Sequence, residues 1–238
     1  MAPVDPEKLL QVREACKENL KFLCKEFLHM SDWDDKVHSE LAEQLKRPTD
    51  KKLILMPRGH FKSSVVTIGY AIQCLLKDPN IRILITNARW ELSADFLDQI
   101  KDYLLNSDLK AFFGEFYYKD LSWTKTQITI AQKTEKKRRG PSIRAAGGES
   151  VLTGSHYDLI IHDDLVEQNN VRTKEQIQKV IDFITGSFDL LDPGGKMILI
   201  GTRWAEDDAY GDILKNQCDF INGQKIAPGK TWRDYVKF

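Results

Sequence analysis

Two residue sets in this sequence are of types and spacings that could do chemistry on a phosphate. The first is Lys62-Ser63, which follows the apolar run Leu53 to Met56 and the break at Pro57, Arg58 and Gly59. A strand, a tight turn, Lys-Ser and then a helix is a recipe for holding a triphosphate. Turn N–H groups and the positive helix end face the anion, the lysine reaches the outer phosphates, and the serine hydroxyl binds Mg²⁺. The second is Asp163-Asp164, two adjacent acids closing the apolar run Leu159 to His162. The first acid of such a pair can hold Mg²⁺ and the second can orient and deprotonate an attacking water.

Each set is weak by itself. In a G-x-x-x-x-G-K-[ST] pattern ending on Lys62-Ser63 the two glycine positions fall on Met56 and Phe61, so neither is glycine. Gly59 lies between them and supplies a residue able to adopt a positive φ. Strand ends are often acidic, and a strand leaving the core into a solvated acidic turn is the plain alternative for Asp163-Asp164. Their co-occurrence makes them two halves of one Mg-nucleotide site. A third tip, Gly201-Thr202-Arg203 after the run Lys196 to Ile200, places a hydroxyl and a guanidinium where strand tips of a parallel sheet line up.

The elements that must position these tips can be read from periodicity. Asp5-Pro6-Glu7 is a helix start. Cys16, Leu20, Leu23, Cys24 and Phe27 continue it as an apolar stripe, and Val37 to Leu45 is a second amphipathic helix. This leading segment packs on the domain or touches the nucleotide base, with Trp33 and His38 as candidates for either role. The predicted order then runs helix 65–76, strand 81–86, helix 88–105, strand 127–131 and a return strand 142–146. Strand 157–162, helix 173–188, a turn at Asp192 to Gly195 and strand 196–200 complete it. Alternating strands and helices argue a mostly parallel, doubly wound sheet. Between 127–131 and 142–146, the stretch Lys133 to Arg139 holds five basic residues against one acid. It reads as a solvated hairpin tip or a non-specific contact to DNA phosphates. His162 alternates with core positions and reads as packing, and His60 as a phosphate contact or a shaper of the turn.

Bulk properties narrow the class. At 238 residues the chain is long enough for one α/β domain. Lysine plus arginine equals aspartate plus glutamate at 35 each, so no global field draws in nucleic acid. The four cysteines show no C-x-x-C pairing and suit a reducing compartment. No apolar run approaches a membrane span and no signal segment opens the chain, so a soluble intracellular protein is expected.

Taken together, P-R-G-H-F-K-S, D-L-I-I-H-D-D and I-L-I-G-T-R-W resemble the ATPase domain of the large terminase subunit of tailed phages, the motor that pumps double-stranded DNA into a procapsid. The resemblance runs from about Val37 to Leu214, and it is specific as a set of three. It implies an α/β P-loop NTPase of the additional-strand, RecA-like type, with an N-terminal helical segment. Residues 1–47 would be that segment, 48–220 the ATPase domain, and 221–238 a tail or linker toward a nuclease domain that this chain leaves no room for. DNA cutting is therefore not expected of it.

By the same resemblance ATP and Mg²⁺ are the cofactors. Arg58, Gly59, His60, Phe61, Lys62, Ser63 and Ser64 form the ATP-binding (Walker A) loop, and Ser63 and Asp163 serve Mg²⁺. Asp164 is the catalytic carboxylate, where many relatives have Glu. Thr202 and Arg203 belong to the coupling motif. Some relatives carry an arginine before the acid-pair strand that reaches into a neighbouring subunit; here Val151 to Ser155 has none, leaving Arg58 or Arg144 as the candidate finger. The implied partners are double-stranded DNA, a portal protein, a small terminase subunit and further copies of the chain in a ring. No membrane is involved, and the location is the infected host's cytoplasm, transiently at the portal vertex. Two alternatives remain: a nucleotide-binding assembly module with little hydrolysis, and a helicase or recombination-type P-loop ATPase.

Overall fold

The computed structural model describes residues 5–135, 138–148 and 154–216, with the backbone of 220–221 and 224–225. The chain opens with helices α1 (Pro6–Glu18), α2 (Leu20–Phe22) and α3 (Asp35–Lys46), with a π-helical turn at Leu23–Phe27 between the last two. Asp5 caps α1 by accepting from the Glu7 N–H, with Pro6 inside the first turn. Asp34 caps α3 through the Lys36 and Val37 N–H groups.

Strand β1 (Lys51–Leu55) follows, then a π-helical run at Ser64–Tyr70 that passes into α4 (Ala71–Lys77). Next come β2 (Ile83–Asn87), α5 (Trp90–Leu105), α6 (Ser107–Phe113), β3 (Gln127–Ile128) and β4 (Ile143–Gly147). The order ends with β5 (Tyr157–Asp163), α7 (Lys174–Gly186), a 3₁₀ turn at Ser187–Leu190, β6 (Leu191–Gly201) and α8 (Ala209–Asn216). The short pair β7 (Phe220–Ile221) and β8 (Gln224–Lys225) stands apart from the main sheet.

The main sheet has six strands in the order β1-β6-β5-β2-β4-β3. All neighbours pair parallel except β3, which runs against β4. A parallel sheet must be covered on both faces, and the period-two alternation shows how. Ile83, Ile85, Leu159, Ile161, Ile198 and Ile200 join the core shared with α1, α3, α4 and α5. Leu84, Ile160, Met197 and Leu199 join the core under α7 and α8. The register places Leu55 beside Gly201, Ile200 beside Asp163 and Asp163 beside Asn87, so four strand tips share one edge.

Several boundaries differ from the sequence expectation. The strand expected over 127–131 shrinks to Gln127–Ile128, and its partner β4 pairs on its other side with β2. The helix expected over 173–188 stops at Gly186. The expected turn at Asp192 to Gly195 lies inside β6. Tyr157 pairs with Leu191 but Leu159 with Lys196, so the intervening β6 residues bulge out of the ladder, with Gly194 at φ 81°. The basic stretch lies along the Asp78 to Asn80 turn rather than standing free. Lys133 Nζ donates to the Asn80 carbonyl at 3.1 Å, and Arg138 pairs with Asp78 at 3.0 Å. That turn precedes β2 and so lies at the opposite edge from the strand tips; Lys136 and Lys137 lie outside the described residues.

Candidate active site

The loop leaving β1 is tied to the tip of β6 before it turns. The Met56 N–H donates to the Gly201 carbonyl at 3.0 Å, and the Thr202 hydroxyl donates to the Met56 carbonyl at 2.9 Å. Gly59 then takes φ 76°, which a side chain would resist. Phe61 takes φ 54° with a side chain present, and its ring is packed into the core beside His38. The N–H groups of Gly59, His60 and Phe61 meet no acceptor among the described residues. Successive N–H groups in such a mixed-handed turn form an anion-binding concavity, so an anion fits here without the two absent glycines.

His38 holds the loop from outside. Its Nδ1 accepts from the Asp34 N–H at 2.7 Å, which leaves Nε2 to donate to the His60 carbonyl at 2.9 Å. The leading helical segment therefore shapes the loop after β1 through α3. Trp33 is buried, and its indole N–H is engaged by Asp35 at 3.1 Å. His60 itself turns back, its Nδ1 donating to the Arg58 carbonyl at 3.0 Å.

Beyond the turn, Lys62 and Ser63 meet the two acids of β5. Lys62 Nζ lies 3.1 Å from Asp164 Oδ2, and Ser63 Oγ donates to Asp163 Oδ1 at 3.0 Å. Alternation along β5 explains this. Asp163 projects to the same face as Leu159 and Ile161, where the Ser64–Tyr70 run lies, and His162 projects to the other. There His162 bonds Thr86 Oγ1 at 2.6 Å and Ser187 Oγ at 2.9 Å. Burial pushes its pKa down to about 3, so it is a neutral core group, as its alternation predicts.

Asp163 is fully buried, and burial pushes its carboxyl up to about 6 against the opposing pull of its hydroxyl donors. One of those donors was not legible as a site residue. Thr67, also fully buried, donates to Asp163 Oδ2. Its only sequence signal is a hydroxyl four residues after Ser63, the spacing that shares a helix face.

Asp164 sits at φ 44°, with its N–H donating to the Ile200 carbonyl at 2.8 Å. Its Oδ1 is buried and has no hydrogen-bond partner. The Ser63 hydroxyl and the buried Asp163 carboxylate are hard donors that fit Mg²⁺ held with the help of phosphate and water oxygens, and the orphaned Asp164 oxygen is left as an acceptor for a water proton. Among the described residues no group of three or more His, Cys, Asp and Glu side chains is arranged to hold a metal ion by itself.

The arginines are placed differently. The Arg58 guanidinium lies over the Trp204 ring, 4.2 Å from its centroid. Arg203 turns into its own loop, donating to the Ala205 and Glu206 carbonyls, with the buried Asp208 3.3 Å away. Arg144 is not brought to the site. It pairs with Leu84, three rungs below the level of Gly147 and Asn87, and its Nη1 donates to Ser155 Oγ at 3.5 Å. Three rungs are roughly 10 Å along a strand, and β2 lies between β4 and β5. Ser64 opens the π-helical run one position past Ser63 and so points along a different side of it. Residues 151–153, in the stretch before the acid-pair strand, lie outside the described residues.

No family model matches the chain. In sequence it is 27% identical over 188 residues to the terminase large subunit of Enterobacteria phage T3, an alignment covering 76% of this chain and 31% of the relative. The chain thus spans about a third of that protein's length. Two solved structures align more loosely. The crystal structure of the HK97 bacteriophage large terminase gives a TM-score of 0.47 at 18% identity, over 70% of this chain and 32% of that one. A variant of S. cerevisiae Dbp5 bound to Nup159, Gle1, IP6 and ADP gives 0.46 at 12% identity, over 89% and 49%.

Proposed function

From a chain related to the large terminase subunits of phages, we propose a P-loop ATPase of the additional-strand, RecA-like type that serves as a DNA-packaging motor domain. The observation that carries this reading is one cluster. Lys62 and Ser63 reach Asp164 and Asp163, residues far away in the chain, at the shared edge of a parallel sheet. Such an edge is where open α/β sheets bind ligands. Residues 48–220 form the ATPase domain in this reading, 1–47 the helical segment that braces it, and 221–238 the link onward.

In this reading the N–H groups of residues 59–61 cradle the phosphates and Lys62 faces the β- and γ-phosphates. Ser63 and Asp163 hold Mg²⁺, with Thr67 fixing the outer oxygen of Asp163. Bound there, the metal neutralises charge between the phosphates. Asp164 takes a proton from the attacking water on Oδ1, the oxygen that Lys62 leaves free, and ADP and phosphate are released. Thr202, bonded to the first residue of the phosphate loop, carries loop movement into β6 and the loop beyond it. Double-stranded DNA, a portal protein, a small subunit and a ring of copies are the partners this implies, in the infected host's cytoplasm.

A second reading, a nucleotide-binding assembly module, draws on the arginines, since Arg144 lies away from the acids and Arg58 rests on Trp204. Both readings are tested by Mg-dependent binding of AMP-PNP to wild type and Lys62→Ala. Phosphate release by wild type and Asp164→Ala, with and without double-stranded DNA and portal, runs alongside. Binding lost with Lys62 and turnover lost with Asp164 supports the motor. Binding without turnover under every condition favours the module. Folded wild-type protein that binds no nucleotide overturns both.

A further inference from the structure

The parallel register of β1 and β6 pairs Leu55 with Gly201. Carried three residues past the strand ends, it sets Arg58 opposite Trp204, and the Arg58 guanidinium does lie 4.2 Å from the centroid of that ring. The rung between is closed by the Thr202 hydroxyl on the Met56 carbonyl. The ring is anchored from behind. The Trp204 N–H donates at 2.9 Å to Asp208 Oδ2, and that fully buried carboxylate also accepts from the Ala205 and Gly211 N–H groups. The indole packs into the core under α7 and α8 with its Nε1 buried and without a hydrogen-bond partner, so the ring is held by packing and its face is what it offers.

Resting on the ATPase reading above, we propose that Trp204 is a positioning residue for Arg58 in triphosphate binding. An arginine on an exposed loop loses side-chain freedom when it engages an anion. Resting over the face of a fixed indole removes much of that freedom beforehand. The N–H donors lie in the guanidinium plane and stay available to phosphate oxygens. Arg58 is thereby presented at the mouth of the phosphate loop by the loop that follows β6. The same contact makes Trp204 the place where a movement of Arg58 toward phosphate is felt beyond the sheet edge.

The test measures the affinities of Mg–AMP-PNP and Mg–ADP for wild type, Trp204→Phe, Trp204→Leu, Arg58→Ala and the double variant Arg58→Ala/Trp204→Leu. Lys62→Ala serves as the control for the site itself, and melting temperatures confirm that each variant is folded. Trp204→Leu is expected to weaken AMP-PNP about two- to fivefold, the scale of an exposed cation–π contact. Trp204→Phe should recover most of that loss, and the double variant should bind no more weakly than Arg58→Ala. Arginine Nε–H resonances provide a second reading: the ring-current shift of Arg58 should vanish in Trp204→Leu and persist in Trp204→Phe. Wild-type affinity in Trp204→Leu, or losses that multiply in the double variant, would overturn the proposal while Lys62→Ala still shows the site to be real. Folded wild-type protein that binds neither nucleotide would overturn it together with the ATPase reading.

Discussion

Lys62 Nζ and Asp164 Oδ2 are 3.1 Å apart, and the lysine side chain is only 6% exposed against 26% for the aspartate. The lysine that the ATPase reading assigns to phosphates is thus ion-paired with the carboxylate which that reading assigns to water. In that reading phosphate and carboxylate compete for one ammonium in a site of reduced dielectric, where each attraction is stronger than in water.

This competition sets the expected behaviour of Asp164→Asn. The amide still offers an oxygen to Lys62 but no charge, so the lysine is released more easily to an incoming triphosphate. We expect AMP-PNP to bind as tightly as in wild type or up to about tenfold more tightly. Hydrolysis should fall by about two to four orders of magnitude, the scale of general-base catalysis. Calorimetry with AMP-PNP and a phosphate-release assay check the two halves. Weaker binding by the variant would mean that the pair does not compete with nucleotide.

Thr67 yields a second expectation, because it is fully buried and donates to the oxygen of Asp163 that Ser63 does not touch. Valine is close to its shape and removes only the hydroxyl; serine keeps the hydroxyl and removes a methyl. Groups that orient a metal-binding carboxylate are typically worth about 10- to 100-fold in metal affinity. In a titration of AMP-PNP binding against Mg²⁺, Thr67→Val should need more metal by that order and Thr67→Ser should come near wild type. Equal midpoints for valine and wild type would leave Thr67 a role in packing alone.

What was legible in the sequence, and what was not, follows from the range of each interaction. The cap at Asp5, the core-facing period of the strands and the positive φ allowed at Gly59 are local, and they read correctly from a few adjacent residues. Alternation along β5 likewise separates Asp163 from His162. Thr67 was missed because its partner comes from the other half of the chain and because the π-helical run at Ser64–Tyr70 has no strong local signature. Arg144 is a candidate in the sequence because proximity to β5 along the chain says nothing of strand order; in space β2 stands between. The stack of Arg58 on Trp204 needed the register of β1 against β6, which no local pattern supplies.

Gly201 offers a test of the β6 tip. The Tyr210 ring lies so close that a Cβ on Gly201 would come within 2.7 Å of its Cζ, and the buried Tyr210 hydroxyl accepts from the Leu165 N–H at 3.1 Å. Gly201→Ala must displace either α8 or the strand tip, an overpacking that costs about 1–3 kcal/mol. Tyr210→Phe keeps the packing and removes only the acceptor, for about 1–3 kcal/mol of unsatisfied donor. Chemical denaturation measures both. If the tip is displaced, Gly201→Ala should also weaken nucleotide binding, since Met56 and Thr202 share that junction. A variant as stable as wild type would show that the tyrosine can move aside.

Asp163 carries the pH dependence, and its sign can be worked out. Its carboxyl rises from the ordinary 3.8 to about 6 because burial disfavours the anion. The folded protein therefore holds this proton more tightly than the unfolded chain does. Its contribution to stability is fully present below pH 4 and is lost as the pH rises through about 6. Asp163→Asn is neutral throughout; its amide can accept from Ser63 and donate to Thr67, whose hydroxyl can reorient. The stability gained over wild type should then be near zero below pH 4, grow between 4 and 6, and level off above 6 at on the order of 2–3 kcal/mol. His162 works the other way, since its neutral form in the fold costs both proteins stability as the pH falls from 6.5 toward about 3, and the difference between them cancels it. Melting curves of the two proteins from pH 4 to 8 without metal measure that difference. The same substitution should abolish Mg-dependent turnover, so that a variant more stable at neutral pH is an inactive one, the trade expected where a buried carboxylate is kept for function. A flat difference across the range would mean that Asp163 is ionised in the fold at no cost.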